Sequence, residues 1–259
     1  MTSFPLIDLW KNRSLIMHFS WINIKVKHTG SYLGLIWAAL EPLLMFLVLY
    51  MVFTTIRKQS GPDFAIYLIS GLILYQLFRN GTMGGLNSLK QNSGILNSLN
   101  INKELFPTIN AGTTFLTLFV NLGVLFALMP IFGFVPSWTL VFLPIILGLF
   151  LILVLGVCYI LSVVYIYVRD IQPIWSIISY ALLFASPIFW YLSEVDGILL
   201  SIQSINPIGQ IIELAHNVVV FGTIPPLLDW VYTSLIIFGI FFFGYFMFHK
   251  LEKNIVEII

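Results

Sequence analysis

The chain has 259 residues, of which 59% are hydrophobic and 16% aromatic while only 9% are charged, and its formal net charge is +1. A soluble domain of this length carries about a quarter charged residues, so that class is excluded. The apolar runs are about twenty residues long and lack the period-two alternation of a barrel, which leaves an all-α polytopic membrane protein.

In chain order, residues 4–28 come first and are too polar to cross a membrane. On a helical wheel Leu6, Trp10, Met17, Trp21 and Ile24 form one stripe and Leu15, Phe19, Ile22 and Val26 another, with Lys11, His18 and Lys25 between them. Two readings fit: a plain interfacial anchor, or a surface helix that also touches a partner protein. No cleavable signal is expected, because Lys11, Asn12 and Arg13 interrupt the early apolar residues.

Six spans follow, at 33–56, 64–80, 108–132, 139–168, 173–192 and 229–249. With both termini inside, the cytoplasmic side holds Lys11, Arg13, Lys25, Lys27, Arg79, Lys90, Lys103, Arg169, Lys250 and Lys253, against only Arg57 and Lys58 outside. That bias supports an even number of crossings in a multi-pass cytoplasmic (inner) membrane protein. Residues 193–228 contain no Lys or Arg, yet are apolar and punctuated by Gly197, Pro207, Gly209, Gly222, Pro225 and Pro226. They fit re-entrant or interfacial half-helices on the outer side.

Several chemistries are missing. No phosphate-cradling GxxxxGK[ST] loop occurs, so the chain is not expected to bind ATP in that manner. His18, His28, His216 and His249 are scattered without metal-ligand spacing, and no nucleophile has a positioned base, so neither a cofactor nor an enzyme activity is expected. No basic cluster suggests nucleic acid. Cys158 lies in an apolar run and reads as a small buried residue. Glu41 is the one clear ionisable group within a span, beside Pro42, and reads as neutral or hydrogen-bonded near the inner end of the first span. So few intramembrane charges argue against an ion-driven carrier and against charge-ring selectivity. What remains is a passage whose energy comes from elsewhere.

Four segments carry a resemblance. Ile24 to Pro42 (IKVKHTGSYLGLIWAALEP), Asn92 to Pro107 (NSGILNSLNINKELFP), Tyr167 to Ile171 (YVRDI) with Ser186-Pro187-Ile188, and Asn206-Pro207 with a following Gly222 occur in order along nearly the whole chain. This series resembles the ABC type-2 permeases that export O-antigen, capsule and teichoic-acid polymers (Wzm-like), with Glu41 standing where Asn is common in that family. The resemblance implies a single permease domain over 1–259, forming a homodimer of six-span subunits. It also implies two copies of a separate ABC ATPase subunit holding ATP and Mg, with lipid-linked polysaccharide as cargo and membrane lipid around it. It places ATPase coupling on the 4–28 helix and the 81–107 loop, through Lys11, Arg13, Lys25, Lys90, Asn97 and Lys103, and on Asp170, which could alternatively cap the fifth span. The 193–228 segment becomes the outer gate.

A neutral polymer is held by aromatic faces rather than by fixed charges. The first, second and fifth spans offer Trp37, Tyr50, Phe53, Tyr75, Phe78, Phe184, Trp190 and Tyr191 as path residues. Rivals are a type-2 permease for a drug, haem or lipid, and a membrane scaffold without a transport path.

Overall fold

The computed structural model describes residues 11–27, 34, 36–56, 61–98 and 102–252, with the backbone alone for Lys27, Asn97 and Ser98. Leu6 and Trp10 of the expected surface stripe, and the expected loop cations Arg57, Lys58 and Lys253, lie outside the described residues. The order of elements is α1 (Arg13–Lys27), α2 (Ile36–Ile56), α3 (Pro62–Gln91), α4 (Ser93–Ser98), α5 (Leu105–Ile131), α6 (Leu143–Tyr167), α7 (Ile171–Ala185), α8 (Ile198–Ile205), α9 (Pro207–Val219) and α10 (Leu227–Leu251). A 3₁₀ turn, Trp138–Phe142, leads into α6, and another, Leu192–Glu194, follows α7. No strand occurs among the described residues.

Among the described residues four helical stretches are long and apolar enough to cross a membrane: Ile36–Ile56, Leu105–Ile131, Trp138–Tyr167 and Leu227–Leu251. They match four of the expected spans to within three residues at each end. The bent pair Ile198–Ile205 and Pro207–Val219 would make a fifth if it were one span. The other two expected spans differ from expectation. The segment expected at 173–192 is helical only over Ile171–Ala185, because the backbone turns extended at Ser186. The segment expected at 64–80 is the first part of α3, which runs on to Gln91.

The length of α3 has local causes. Pro62 at its first turn and Asp63 beside it favour the start, and Lys90 in the last turn favours the end. At 30 residues it is about 45 Å long. Arg79 and Asn80 would end a lipid-exposed helix, but here Arg79 is housed by protein, its guanidinium 4.1 Å from the Tyr180 ring centroid. The first eleven residues of the expected 81–107 loop are therefore the last turns of α3, and Ser93–Ser98 adds a short helix.

α3 is the core of the bundle, with every residue from Phe64 to Tyr75 buried. It contacts α2, α5, α6, α7 and α9. Two ends of the bundle follow from these contacts. At the upper end Tyr67 Oη donates to Trp190 O (2.7 Å), and Thr139 Oγ1 donates to Val218 O (2.6 Å). At the lower end Tyr167 Oη donates to Leu251 O (2.9 Å), and His249 Nε2 lies 3.2 Å from Glu104 Oε2. Lys103 Nζ, also there, donates to Glu252 O.

The bend in 193–228 is 92° and sits at Asn206-Pro207. The Asn206 N–H still serves α8 by donating to Ile202 O, its side-chain amide donates to Ser186 Oγ at 2.9 Å, and Pro207 opens α9. α9 is held by burial of Ile208, Ile211, Ile212, Val218 and Val219, and by His216, whose ring stacks on Tyr67 at 3.7 Å.

α6 and α10 approach through glycine. A Cβ on Gly156 would lie 2.7 Å from Phe241 Cα, and one on Gly244 would meet the Gly156 carbonyl. In lipid such close backbone packing replaces the hydrophobic effect as the force between helices. Gly156→Leu should therefore lower the melting temperature in detergent by about 5 °C, as expected of roughly 2 kcal/mol of overpacking in a chain of this size. Gly148→Leu, with no neighbour within 4 Å, should leave it unchanged. Equal melting temperatures for the two variants would refute the crossing.

Candidate functional site

Two regions of opposite chemistry lie in the bundle. The first is a cavity of about 900 Å³ between α1, α2, α3 and α5. α1 reaches it because Ser20 Oγ donates to Ile109 O (2.9 Å) and sits where a Cβ on Gly112 would clash, which seats α1 directly on α5. Ile24 of the expected surface stripe is buried in this contact, while Met17 and Trp21 of that stripe and Phe19 and Val26 of the second stay exposed. α3 presents glycines here: Gly81 O accepts from Asn110 Nδ2 at 2.6 Å, and Asn110 Oδ1 packs where Gly84 has no Cβ.

The cavity walls are two polar stripes at helical spacing. α3 contributes Gln76, Asn80, Asn87 and Gln91, and α5 contributes Asn110, Thr113, Thr114, Thr117 and Asn121. Gln76 and Gln91 are fifteen residues apart, so the α3 stripe runs about 22 Å. Four of these nine groups donate to carbonyls of their own helices. Asn87 Nδ2 donates to Met83 O (3.0 Å), Thr113 Oγ1 to Ile109 O (2.8 Å), Thr114 Oγ1 to Asn110 O (3.1 Å) and Thr117 Oγ1 to Thr113 O (2.9 Å). Asn121 is 3% exposed and its Oδ1 has no hydrogen-bond partner. A buried acceptor left in that state costs about 1–3 kcal/mol. Glu41 lines the same cavity and accepts from Asn80 Nδ2 at 3.4 Å, in keeping with its expected place near the lower end of the first span.

The second region is aromatic and lies at the upper end. Tyr50 stacks on Phe46 (5.4 Å) and meets Phe132 edge-on (5.5 Å). Phe53 stacks on Phe189 (5.4 Å), which also touches Phe184 (5.9 Å). Tyr191 packs on Tyr67 (4.6 Å), and Trp190 Nε1 donates to Phe184 O (3.2 Å). Five of the eight expected path residues thus gather in one cluster. Phe184, 64% exposed, looks outward from it.

The other three stand elsewhere. Trp37 is 40% exposed in the first turn of α2, far from the cluster along that helix. Tyr75 and Phe78, 3% and 1% exposed, are interior: Tyr75 Oη donates to Ser179 O (2.7 Å) and Phe78 packs on Trp175 (6.2 Å), joining α3 to α7. None of the eight lines the cavity. Its amides and hydroxyls were readable in the sequence as the stripe at 110, 113, 114, 117 and 121 inside an apolar span, a spacing that puts them on one helix face.

The expected coupling residues lie at the lower end or on α1. Lys11, Arg13 and Lys25 are exposed, with Lys25 over the Trp21 ring at 5.4 Å. Lys90 Nζ donates to Tyr165 Oη (3.2 Å), and Lys103 is tied to the end of α10. Asn97 is in α4, with its backbone alone described. Asp170 is exposed at the N-cap of α7 and makes no side-chain cap hydrogen bond. The described residues contain no group of three or more His, Cys, Asp or Glu placed to hold a metal ion.

Known proteins share this pattern of sequence. An O-antigen export system permease protein RfbA of Myxococcus xanthus is 27% identical over 189 residues, 73% of each chain. Two proteins of the same description from Klebsiella pneumoniae are 25% and 23% identical over 241 residues, 92% of each chain. The chain is similar to O-antigen export permeases over most of its length. No family model matches it. Two of the permease-like motifs touch in the fold, since the Asn206 amide donates to Ser186 Oγ. The permease-like turn after α7 is thereby pinned to the bend between α8 and α9.

Asn110 is the joint between the cavity's two stripes. Asn110→Leu removes the bond to Gly81 O and drives a branched side chain toward the Gly84 backbone. It should destabilise the protein by about 2 kcal/mol, read as a lower melting temperature. Asn87→Leu, on the open wall, should have no such effect. A stable Asn110→Leu protein would remove the joint.

Proposed function

We propose that this chain is the transmembrane, non-catalytic subunit of an ATP-driven ABC exporter that moves lipid-linked, O-antigen-like polysaccharide across the cytoplasmic membrane. The observation that carries the reading is the alignment with O-antigen export permeases over 92% of the chain. The names of these relatives favour polysaccharide over a drug, haem or lipid, and a transporter over a scaffold.

In this reading α3 and α7 complete six crossings with α2, α5, α6 and α10, and the single permease domain fills the chain. The lower end, where Lys90, Lys103 and Arg169 lie, faces the cytoplasm, with both termini. Two ABC ATPase subunits dock there and supply ATP and Mg, and α1 with the 81–107 region passes on their motion. α8 and α9 serve as the outer gate, re-entrant at the Asn206 bend.

The polymer path runs where two copies of the chain face one another. Support for its position comes from apolar faces that the single chain leaves open: Leu47, Met51 and Val52 on α2, and Ile174, Ile177 and Phe184 on α7 are all exposed. Trp37 and Phe184 are the path aromatics on that flank, while Tyr75 and Phe78 support it from behind.

Trp37→Ala and Phe184→Ala should each reduce surface polymer, by up to about ten-fold for the loss of one aromatic contact, while the complex still assembles. Surface glycan staining measures this in a strain lacking the native gene. Normal surface polymer in both variants would place the path elsewhere. Because Asp170 makes no cap bond, Asp170→Ala should leave the melting temperature unchanged and depress polymer-stimulated ATPase of the co-purified complex; retained stimulation would remove Asp170 from coupling.

A further inference from the structure

The cavity between α1, α2, α3 and α5 is a built space that the export path on the open α2 and α7 faces does not use. We propose that it binds the neutral, polyhydroxylated headgroup of a membrane amphiphile, that is, a glycosyl headgroup.

The hydrogen-bonding sense of the walls selects this chemistry. Thr113, Thr114 and Thr117 give their hydroxyl protons to backbone carbonyls of their own helix, so what they have left to offer is oxygen lone pairs. A ligand meeting this threonine face must bring the donors. Sugar hydroxyls do so, each donating one proton. An ionised phosphate brings only acceptors and meets no Lys, Arg or His among the described residues of these walls. Glu41, the carboxylate among the described lining residues, adds acceptors rather than a cation.

Asn121 supplies the anchor. Its Oδ1 is buried and unpartnered on the cavity wall. It lies sixteen residues from the start of α5 and ten from its end, about 24 Å and 15 Å along the axis, which puts it inside the span. At that level an unmet acceptor has no bulk water to turn to. A hydroxyl donor inserted from below meets it.

The remaining walls fit the rest of an amphiphile. Phe19 and Phe106 offer ring faces to sugar C–H groups, and Leu15 and Ile95 offer an apolar margin for a chain. A volume of about 900 Å³ lies within the range of small-molecule sites.

The proposal stands on the cavity alone, so binding and export are read separately. The full chain in phosphatidylcholine nanodiscs is titrated with n-dodecyl-β-D-maltoside below its micellar concentration, and bound detergent is counted by native mass spectrometry. The expected result is one maltoside per chain that dodecylphosphocholine does not displace. Asn121→Leu and the near-isosteric Thr117→Val should each weaken maltoside binding, Asn121→Leu by about ten-fold as for one lost buried hydrogen bond, while Phe184→Leu on the α7 flank should leave it unchanged. Displacement by dodecylphosphocholine, or tighter binding of dodecylamine, would overturn the choice of ligand. Unchanged maltoside binding in both Asn121→Leu and Thr117→Val would reduce the cavity to a water-filled space.

Discussion

A helix largely enclosed by protein can carry side chains that lipid would reject, and α3 uses that freedom in its lower half. In its upper half every residue from Phe64 to Tyr75 is buried, and its lower half carries Arg79, Asn80, Asn87 and a row of glycines. The glycines matter as much as the polar groups. At Gly81, Gly84 and Gly85 the side chains of Thr114, Asn110 and Cys158 occupy the space a Cβ would need. Close approach of α5 and α6 to α3 is therefore written into the absence of side chains there. With α3 at the centre, α2 and α7 are left at the periphery with large apolar faces uncovered, and α1 is left to pack on α5.

That arrangement separates two chemistries along one helix axis. At the upper end, rings from α2, α3 and the turn after α7 interlock, and their contacts with α9 make a continuous aromatic layer. At the lower end, amides and hydroxyls face one another across open space. The aromatic layer is closed by its own contacts, whereas the polar walls are not. Asn121 keeps an unmet acceptor, which native proteins tolerate mainly where a ligand or water completes the site.

Much of the fold could be read from periodicity and composition. Spans whose neighbours are lipid, such as α2, α5 and α10, show their ends within three residues because hydropathy reports what a lipid-facing surface must be. The same measure fails for α3, where Arg79 and Asn80 look like a boundary and are instead interior to a longer helix. It also fails at 186–192, where an apolar sequence leaves the helix at Ser186. The eight aromatic path residues were chosen by type, and type does not distinguish Phe184, which faces outward, from Phe78, which is enclosed. The polar stripe at 110–121 was present in the sequence, but a search for charge overlooks neutral amides and threonines.

By itself the sequence determined the class of the protein, four of its helical spans, and a resemblance to polysaccharide-export permeases carried by short motifs in order. These depend on local composition and linear spacing, which survive without knowledge of neighbours. Only the tertiary structure decided that α3 lies at the centre, that Ser186 and Asn206 meet, and that two polar stripes face each other around a cavity. Those facts depend on which residues of distant segments come within bonding distance, and the glycines that permit such approaches have no hydropathy signature of their own.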